Sequence, residues 1–114
     1  MAVSMTAPIL IVDDYNTMIR ILRNLLRQLG FTNIDEASDG RTAITKIRQK
    51  DYQLVISDWD MQPMTGIELL RLMRAAEKYA NTPFMMVANE PSAAEAASRA
   101  GADSYLVKPV TAQT

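Results

Sequence analysis

The stretch ILIVDD at residues 9–14 decides the fold class that we expect for this chain. Its four apolar residues end abruptly at two aspartates, as a strand buried on both faces does at the edge of a parallel sheet. The stretch LVISDWD at residues 54–60 repeats this pattern. Further strands are predicted at residues 84–88, at residues 104–107 and, from a weaker pattern, within residues 31–37. The sequence therefore predicts five short strands.

Amphipathic helices are predicted in the segments between these strands. Residues 16–29 place apolar side chains at intervals of three and four, up to Leu29, and Gly30 then supplies a helix stop. Ser38 to Gly40 and Gly66 begin two further helices, and an alanine-rich helix follows Pro91. Alternating strands and helices indicate an α/β, doubly wound parallel sheet with right-handed crossovers and helices on both faces.

The composition limits what this fold can do. With 114 residues, 48% of them hydrophobic and 22% charged, the chain suits one compact domain spanning residues 1–114. The net charge of -1 gives no general attraction to nucleic acid or to anionic membranes, and we expect neither as a partner. The absence of Cys and His excludes disulfides, thiol chemistry, imidazole bases and His-zinc sites. No membrane span or signal peptide is recognisable, so a cytoplasmic location is expected.

The carboxyl ends of the predicted strands carry most of the chemistry. Such ends meet at one edge of a parallel sheet, and here they bring together Asp13, Asp14, Asp58, Asp60 and Lys108. Crowded carboxylates repel one another and are best tolerated with a bound cation, for which oxygen ligands favour Mg²⁺ or Mn²⁺. A metal-held phosphoryl group would let one aspartate act as a nucleophile, with the lysine neutralising a phosphoryl oxygen. An aspartate after a strand is also common as a turn or helix cap.

Four segments with their spacing resemble the receiver domain of response regulators, and most closely its single-domain, CheY-like members. They are ILIVDDYNTM at 9–18, RNLLRQLGF at 23–31, LVISDWDMQPMTG at 54–66 and AGADSYLVKP at 100–109. The resemblance implies the flavodoxin-like strand order 2-1-3-4-5. It also implies that Asp58 is the phosphoacceptor, that Asp14 binds Mg²⁺ directly, that Asp13 assists through water, and that the backbone carbonyl of Asp60 is a further ligand.

The resemblance assigns roles to the end of the last strand as well. Lys108 would contact the phosphoryl group beside a cis peptide bond to Pro109, and Tyr105 would be an aromatic whose rotamer reports activation. Where the family has Thr or Ser at the end of the fourth strand, this sequence has Ala88. We therefore expect the switch position to lack its hydroxyl. Phosphorylation of Asp58 would still occur, but the conformational change that follows it would be weakened. The Gln62-Pro63 pair places proline one residue later than the family usually does.

The chain is also expected to lack the fifth helix of the family. Only residues 109–114 follow Lys108, fewer than the 11 to 12 residues of an average helix. The apolar sides of Met85, Met86, Leu106 and Val107 would then be uncovered, which predicts a homodimer or a partner on the face beside the first helix. The alternative is that the receiver domain is C-terminally shortened because the sequence is a fragment of a longer regulator.

Three functions are compatible with these residues. The resemblance implies a receiver, not an enzyme in the ordinary sense, that takes a phosphoryl group from a histidine kinase or phosphotransfer protein and signals to a protein target, with chemotaxis as a candidate pathway. The basic row Arg20, Arg23 and Arg27 would help to dock the kinase, or would simply be solvated. A phosphatase using Asp58 and Asp60 is a weak rival, and a phosphorylation-independent pseudo-receiver is the third function.

Overall fold

Five parallel strands form the centre of the molecule, and the order predicted from the resemblance is confirmed. The computed structural model describes residues 5–108 of the chain. Its strands are β1 Ile9–Val12, β2 Ile34–Ala37, β3 Leu54–Asp58, β4 Phe84–Ala88 and β5 Ser104–Val107. They lie in the order β2-β1-β3-β4-β5, and all four pairings are parallel. The four residues of β1 are buried, as the uninterrupted apolar run requires.

Four α-helices connect the strands, and their ends follow local sequence signals. The helices are α1 Asn16–Gln28, α2 Gly40–Gln49, α3 Gly66–Ala75 and α4 Pro91–Ala100. Helix α2 begins at the cap residue Asp39, whose side chain accepts a hydrogen bond from the backbone N–H of Thr42. A reciprocal capping box between Thr65 and Glu68 begins α3. Helix α4 ends at Gly101, whose φ of 110° lies in the left-handed region that glycine tolerates.

The helices divide into two layers, one on each face of the sheet. On one face, α1 packs Met18, Ile19 and Leu22 against the sheet. On the other face, α2 and α3 bury a larger cluster around Ile47, Leu69 and the fully buried Phe84 and Met86, to which Ala97 of α4 also belongs. Helices on both faces were predicted, and this arrangement is confirmed. No helix in the described part of the chain has the length and apolar character to cross a membrane.

A partly buried arginine joins several segments at the end of the sheet opposite the acidic edge. The guanidinium of Arg74 donates to the backbone carbonyls of Gly101, Tyr79 and Thr82 and forms an ion pair of 3.0 Å with Asp103. The Asp103 carboxylate also accepts the backbone N–H of Phe84 at 2.8 Å. These contacts tie the end of α3 to the start of β4 and to the turn before β5.

Some details differ from the expectations drawn from the sequence. Leu29 is 67% exposed because it caps the end of α1, just before Gly30 turns the chain. A short 3-10 helix at Glu77–Tyr79 was not predicted. Met86 was expected to be uncovered, but it is fully buried because it faces the α2 and α3 layer. Met85, Leu106 and Val107 are partly buried. The expected absence of a fifth helix and the cis bond to Pro109 lie outside the described residues.

Candidate acidic site

Three carboxylates predicted to converge do come together at the carboxyl edge of the sheet. Asp13 follows β1 directly, and Asp58 is the last residue of the neighbouring β3. One side-chain oxygen from each of Asp13, Asp14 and Asp58 lies within 4.8 Å of the others. Asp13 and Asp58 are buried, whereas Asp14 is exposed. The cluster therefore has a buried base and one side open to solvent.

Lys108 completes the group from the end of β5. Its Nζ lies 3.0 Å from Oδ1 of Asp58. The backbone N–H of Lys108 donates to the carbonyl of Ala88 at 2.9 Å, which holds the lysine at the level of the strand ends. The amine therefore offsets part of the negative charge at Asp58, and it leaves Asp13 and Asp14 without an ion pair among the described residues.

Burial makes the ionised cluster costly. Burial raises the pKa of Asp13 from 3.8 to about 6. The backbone N–H of Tyr15, which donates to Oδ1 of Asp13 at 2.9 Å, lowers this pKa in part. The negative charge of Asp58 raises it further, and the positive charge of Lys108 lowers it. Burial also raises the pKa of Asp58 above its ordinary value, against the opposing effect of Lys108. The buried Oδ2 of Asp13 has no hydrogen-bond partner among the described residues. An unpartnered buried carboxylate oxygen next to two other carboxylates is the environment that a divalent cation relieves.

The backbone of Asp58 is held by residues to which the sequence reasoning gave no role at the site. The buried Ser57 donates its hydroxyl to the Asp58 carbonyl at 3.0 Å. A side chain at Gly66 would place its Cβ only 2.1 Å from that same carbonyl oxygen, so α3 can begin this close to Asp58 only with glycine. The signal for Ser57 was a hydroxyl within an otherwise apolar strand, whereas the close approach at Gly66 has no signature in one sequence.

Three other predicted site residues occupy different environments. Asp60 is exposed, and its carboxylate does not join the three-carboxylate cluster, because the residue lies in the solvent-facing bend after β3. The role expected of its backbone carbonyl stays a prediction. Ala88 is fully buried at the end of β4 and packs against Ala93 and Ala94 of α4. Tyr105 is 52% exposed on β5, and its switching role is likewise untested.

The basic row on α1 is not a uniform solvated surface. Arg23 forms an ion pair of 2.9 Å with Glu36 of β2. This contact links α1 to the edge strand of the sheet. Arg20 and Arg27 are exposed and have no ion pair in the described part of the chain. Docking of a kinase on this row remains a prediction.

The fold and the acidic edge together define a signalling receiver module, and comparison with known proteins agrees. The response regulator receiver domain model matches residues 9–114, and the chain belongs to that family. Chemotaxis protein CheY of Pseudomonas aeruginosa is 49% identical over 107 residues, which cover 92% of this chain and 86% of that protein. Chemotaxis protein CheY-3 of Vibrio cholerae is 46% identical over 108 residues, covering 93% and 83%.

Solved structures support the same fold. The structure of the chemotaxis protein CheY4 of Vibrio cholerae superimposes with a TM-score of 0.85 at 31% sequence identity, covering 95% of this chain and 91% of that one. The predicted resemblance to CheY-like receivers is therefore confirmed at the level of family and fold.

Proposed function

We propose that this receiver domain accepts a phosphoryl group on Asp58 in a reaction that needs Mg²⁺ or Mn²⁺. The observation that carries the proposal is the convergence of the Asp13, Asp14 and Asp58 carboxylates within 4.8 Å, with the Lys108 amine 3.0 Å from Asp58. Membership of the receiver family supports this assignment. The resemblance to receiver domains assigns the nucleophile to Asp58, and the contact of Lys108 with this residue supports the assignment, because it places the amine beside the phosphoryl group that would be accepted.

The donor set of the cluster fits a hard divalent cation. All the side-chain ligands offered are carboxylate oxygens, which Mg²⁺ and Mn²⁺ prefer over zinc. Asp14 faces solvent and would bind the ion directly, while the unpartnered Oδ2 of the buried Asp13 would be reached through a water. The carbonyl of Asp60 would add a further oxygen. When bound, the ion screens the carboxylates and polarises the phosphoryl oxygens.

The proposed transfer moves one phosphoryl group to the Asp58 side chain. A carboxylate oxygen of Asp58 forms the new bond to phosphorus, while the bond from phosphorus to the donor breaks and the donor keeps the electron pair. A phosphohistidine donor would release an imidazole, which then takes a proton from solvent. Lys108 remains close enough to neutralise charge on the phosphoryl oxygens. Later hydrolysis by water would return the carboxylate and inorganic phosphate.

The partners follow from this chemistry and from the relatives. The phosphoryl donor would be a histidine kinase or a phosphotransfer protein, and the output would be contact with a protein target. The names of the two CheY relatives described above point to chemotaxis as the pathway, and a cytoplasmic site of action suits such an exchange. The homodimer predicted from the sequence is not part of this proposal, because Met86 of its expected interface is buried.

Intact-mass analysis tests the proposed reaction directly. The chain is incubated with acetyl phosphate and Mg²⁺, and we expect the mass of one phosphoryl group to be added and mapped to the peptide that contains Asp58. Asp58→Asn and treatment with EDTA should each abolish the adduct. Asp60→Asn is the matched control, because it removes an exposed carboxylate outside the cluster and should leave the adduct in place. An adduct that survives Asp58→Asn would refute the proposal.

The fully buried Ala88, which has a methyl group where the family has a hydroxyl, favours a second candidate function, that of a pseudo-receiver. A pseudo-receiver would bind its target without phosphorylation, and no hydroxyl at the end of β4 would be needed. Absence of any adduct in a folded chain, with partner binding unchanged by the phosphodonor, would favour this function. The Asp58 and Asp60 phosphatase gains no support, since the Asp60 carboxylate lies outside the cluster.

A further inference from the structure

The tryptophan that follows Asp58 occupies a distinctive position in the core. Trp59 is partly buried, and its side chain packs against the large cluster beneath α2 and α3. It also packs against a separate small cluster, the α4 cluster, formed by Ala88, Ala93 and Ala94. Within residues 5–108, no other partly buried apolar side chain contacts both clusters. The indole of Trp59, the residue directly after Asp58, therefore bridges the large cluster and the first turn of α4.

The backbone of Trp59 is held on two sides. Its N–H donates to the carbonyl of Val87 in β4 at 2.8 Å, and its carbonyl accepts the N–H of Gly66 at the start of α3, at 3.1 Å. Because these bonds restrain the main chain of Trp59, a change at Asp58 that reached α4 through this residue would have to act through its side chain. An indole is a large and rigid apolar group, so its displacement is felt by whatever packs against it.

The first turn of α4 is suited to respond. Its cap residue, Glu90, makes no side-chain capping hydrogen bond, unlike the cap residues of α2 and α3. The small side chains of this turn, Ala93 and Ala94, pack instead with Ala88 and against Trp59 and Val107. At residue 88 there is only a methyl group, and the partly buried apolar side chains that pack against this turn are those of Trp59, which follows Asp58, and Val107.

We propose that Trp59 is a positioning residue that couples the phosphorylation state of Asp58 to the placement of the first turn of α4. This inference rests on the proposed function, because the signal begins with phosphoryl transfer to Asp58. It assigns Trp59 no contact with the phosphoryl group or the metal. The indole acts only through its packing against the α4 cluster.

The chain contains no cysteine, so one can be introduced as a unique labelling site. Ser92 is exposed in the first turn of α4, and Ser92→Cys carrying an environment-sensitive fluorophore reports on that turn. Acetyl phosphate with Mg²⁺ should change the label signal in the parent chain. In Trp59→Leu, phosphoryl occupancy by intact mass should be unchanged, while the label response should fall at least about fivefold, the lower end of typical coupling between sites.

Two further variants separate coupling from general structural damage. Trp59→Phe keeps an aromatic ring at this position and should restore much of the label response. Ile67→Ala truncates a partly buried side chain that packs against the large cluster but not the α4 cluster, and it should leave the response intact. Thermal unfolding verifies that each variant is folded, and Trp59→Met, which also removes the rigid ring, replaces Trp59→Leu should that variant fail to fold.

The outcomes distinguish this inference from the proposed function. Normal occupancy with a lost response in Trp59→Leu, and its recovery in Trp59→Phe, supports the coupling. If Trp59→Leu shows normal phosphoryl occupancy and a full label response, the coupling is overturned and the proposed function stands. The same holds if the parent chain is phosphorylated but its label does not respond. A parent chain that takes up no phosphoryl group overturns both.

Discussion

Replacement of Asp13 by asparagine should stabilise the folded protein when no divalent ion is present. Burial raises the pKa of Asp13 from 3.8 to about 6, a shift of about two units. At about 1.4 kcal/mol per unit, the ionised carboxylate costs the folded state ~3 kcal/mol above pH 6. Asparagine can keep the bond to the Tyr15 N–H, and its amide can donate toward the neighbouring carboxylates. We therefore expect Asp13→Asn to raise the free energy of unfolding at pH 7.5 by up to about 3 kcal/mol.

The sign of the pH dependence follows from the same shift. Between about pH 4 and pH 6, folded Asp13 keeps a proton that the unfolded chain releases, so raising the pH through this window lowers the stability of the parent protein. The advantage of Asp13→Asn should therefore disappear near pH 4 and be complete above pH 6. Urea unfolding in EDTA at several pH values measures it, with Asp60→Asn as the matched control. The reasoning would be refuted if Asp13→Asn were no more stable than the parent at pH 7.5. It would also be refuted if the variant exceeded the parent in free energy of unfolding by the same amount at pH 4 as at pH 7.5.

Three other substitutions test separate parts of the structure. Gly66→Ala should destabilise the fold by about 2 kcal/mol or more in urea unfolding, because its Cβ would lie 2.1 Å from the Asp58 carbonyl oxygen; unchanged stability would contradict this packing. Arg74→Met should cost about 3 kcal/mol, since three backbone carbonyls lose their donor and the Asp103 carboxylate loses its ion pair. A loss below about 1 kcal/mol would show that the network is dispensable. Ala88→Thr should change the phosphoryl lifetime followed by intact mass, and identical decay in parent and variant would show that the missing hydroxyl does not limit the readout.

The strands and the acidic edge were predictable from one sequence because their signals are local and strong. A parallel strand buried on both faces must be almost wholly apolar, so ILIV at residues 9–12 identifies β1 and gives its end to the residue. Once strands and helices alternate, topology brings the strand ends together, and the cluster of Asp13, Asp14 and Asp58 follows without knowledge of any distance.

The features that were missed depend on contacts between distant segments. Residue spacing in α1 cannot show that Leu29 lies past the point where the helix meets the sheet. The partners of Arg74 lie in two separate connections, between α3 and β4 and between α4 and β5, so the sequence gives no sign that its side chain is mostly buried. The position of Trp59 between two clusters likewise depends on how α4 packs, which its alanine-rich sequence does not specify.

A calorimetric titration with Mg²⁺ at pH 7.5 tests the central claim most directly, that the three carboxylates form one cation site. The claim predicts a single site per chain, with affinity that falls as the pH is lowered through about 6, where Asp13 takes up a proton. It also predicts that Asp14→Asn weakens binding about tenfold or more, while Asp60→Asn has little effect. Absence of saturable binding, or equal binding by Asp14→Asn and the parent, would contradict the claim.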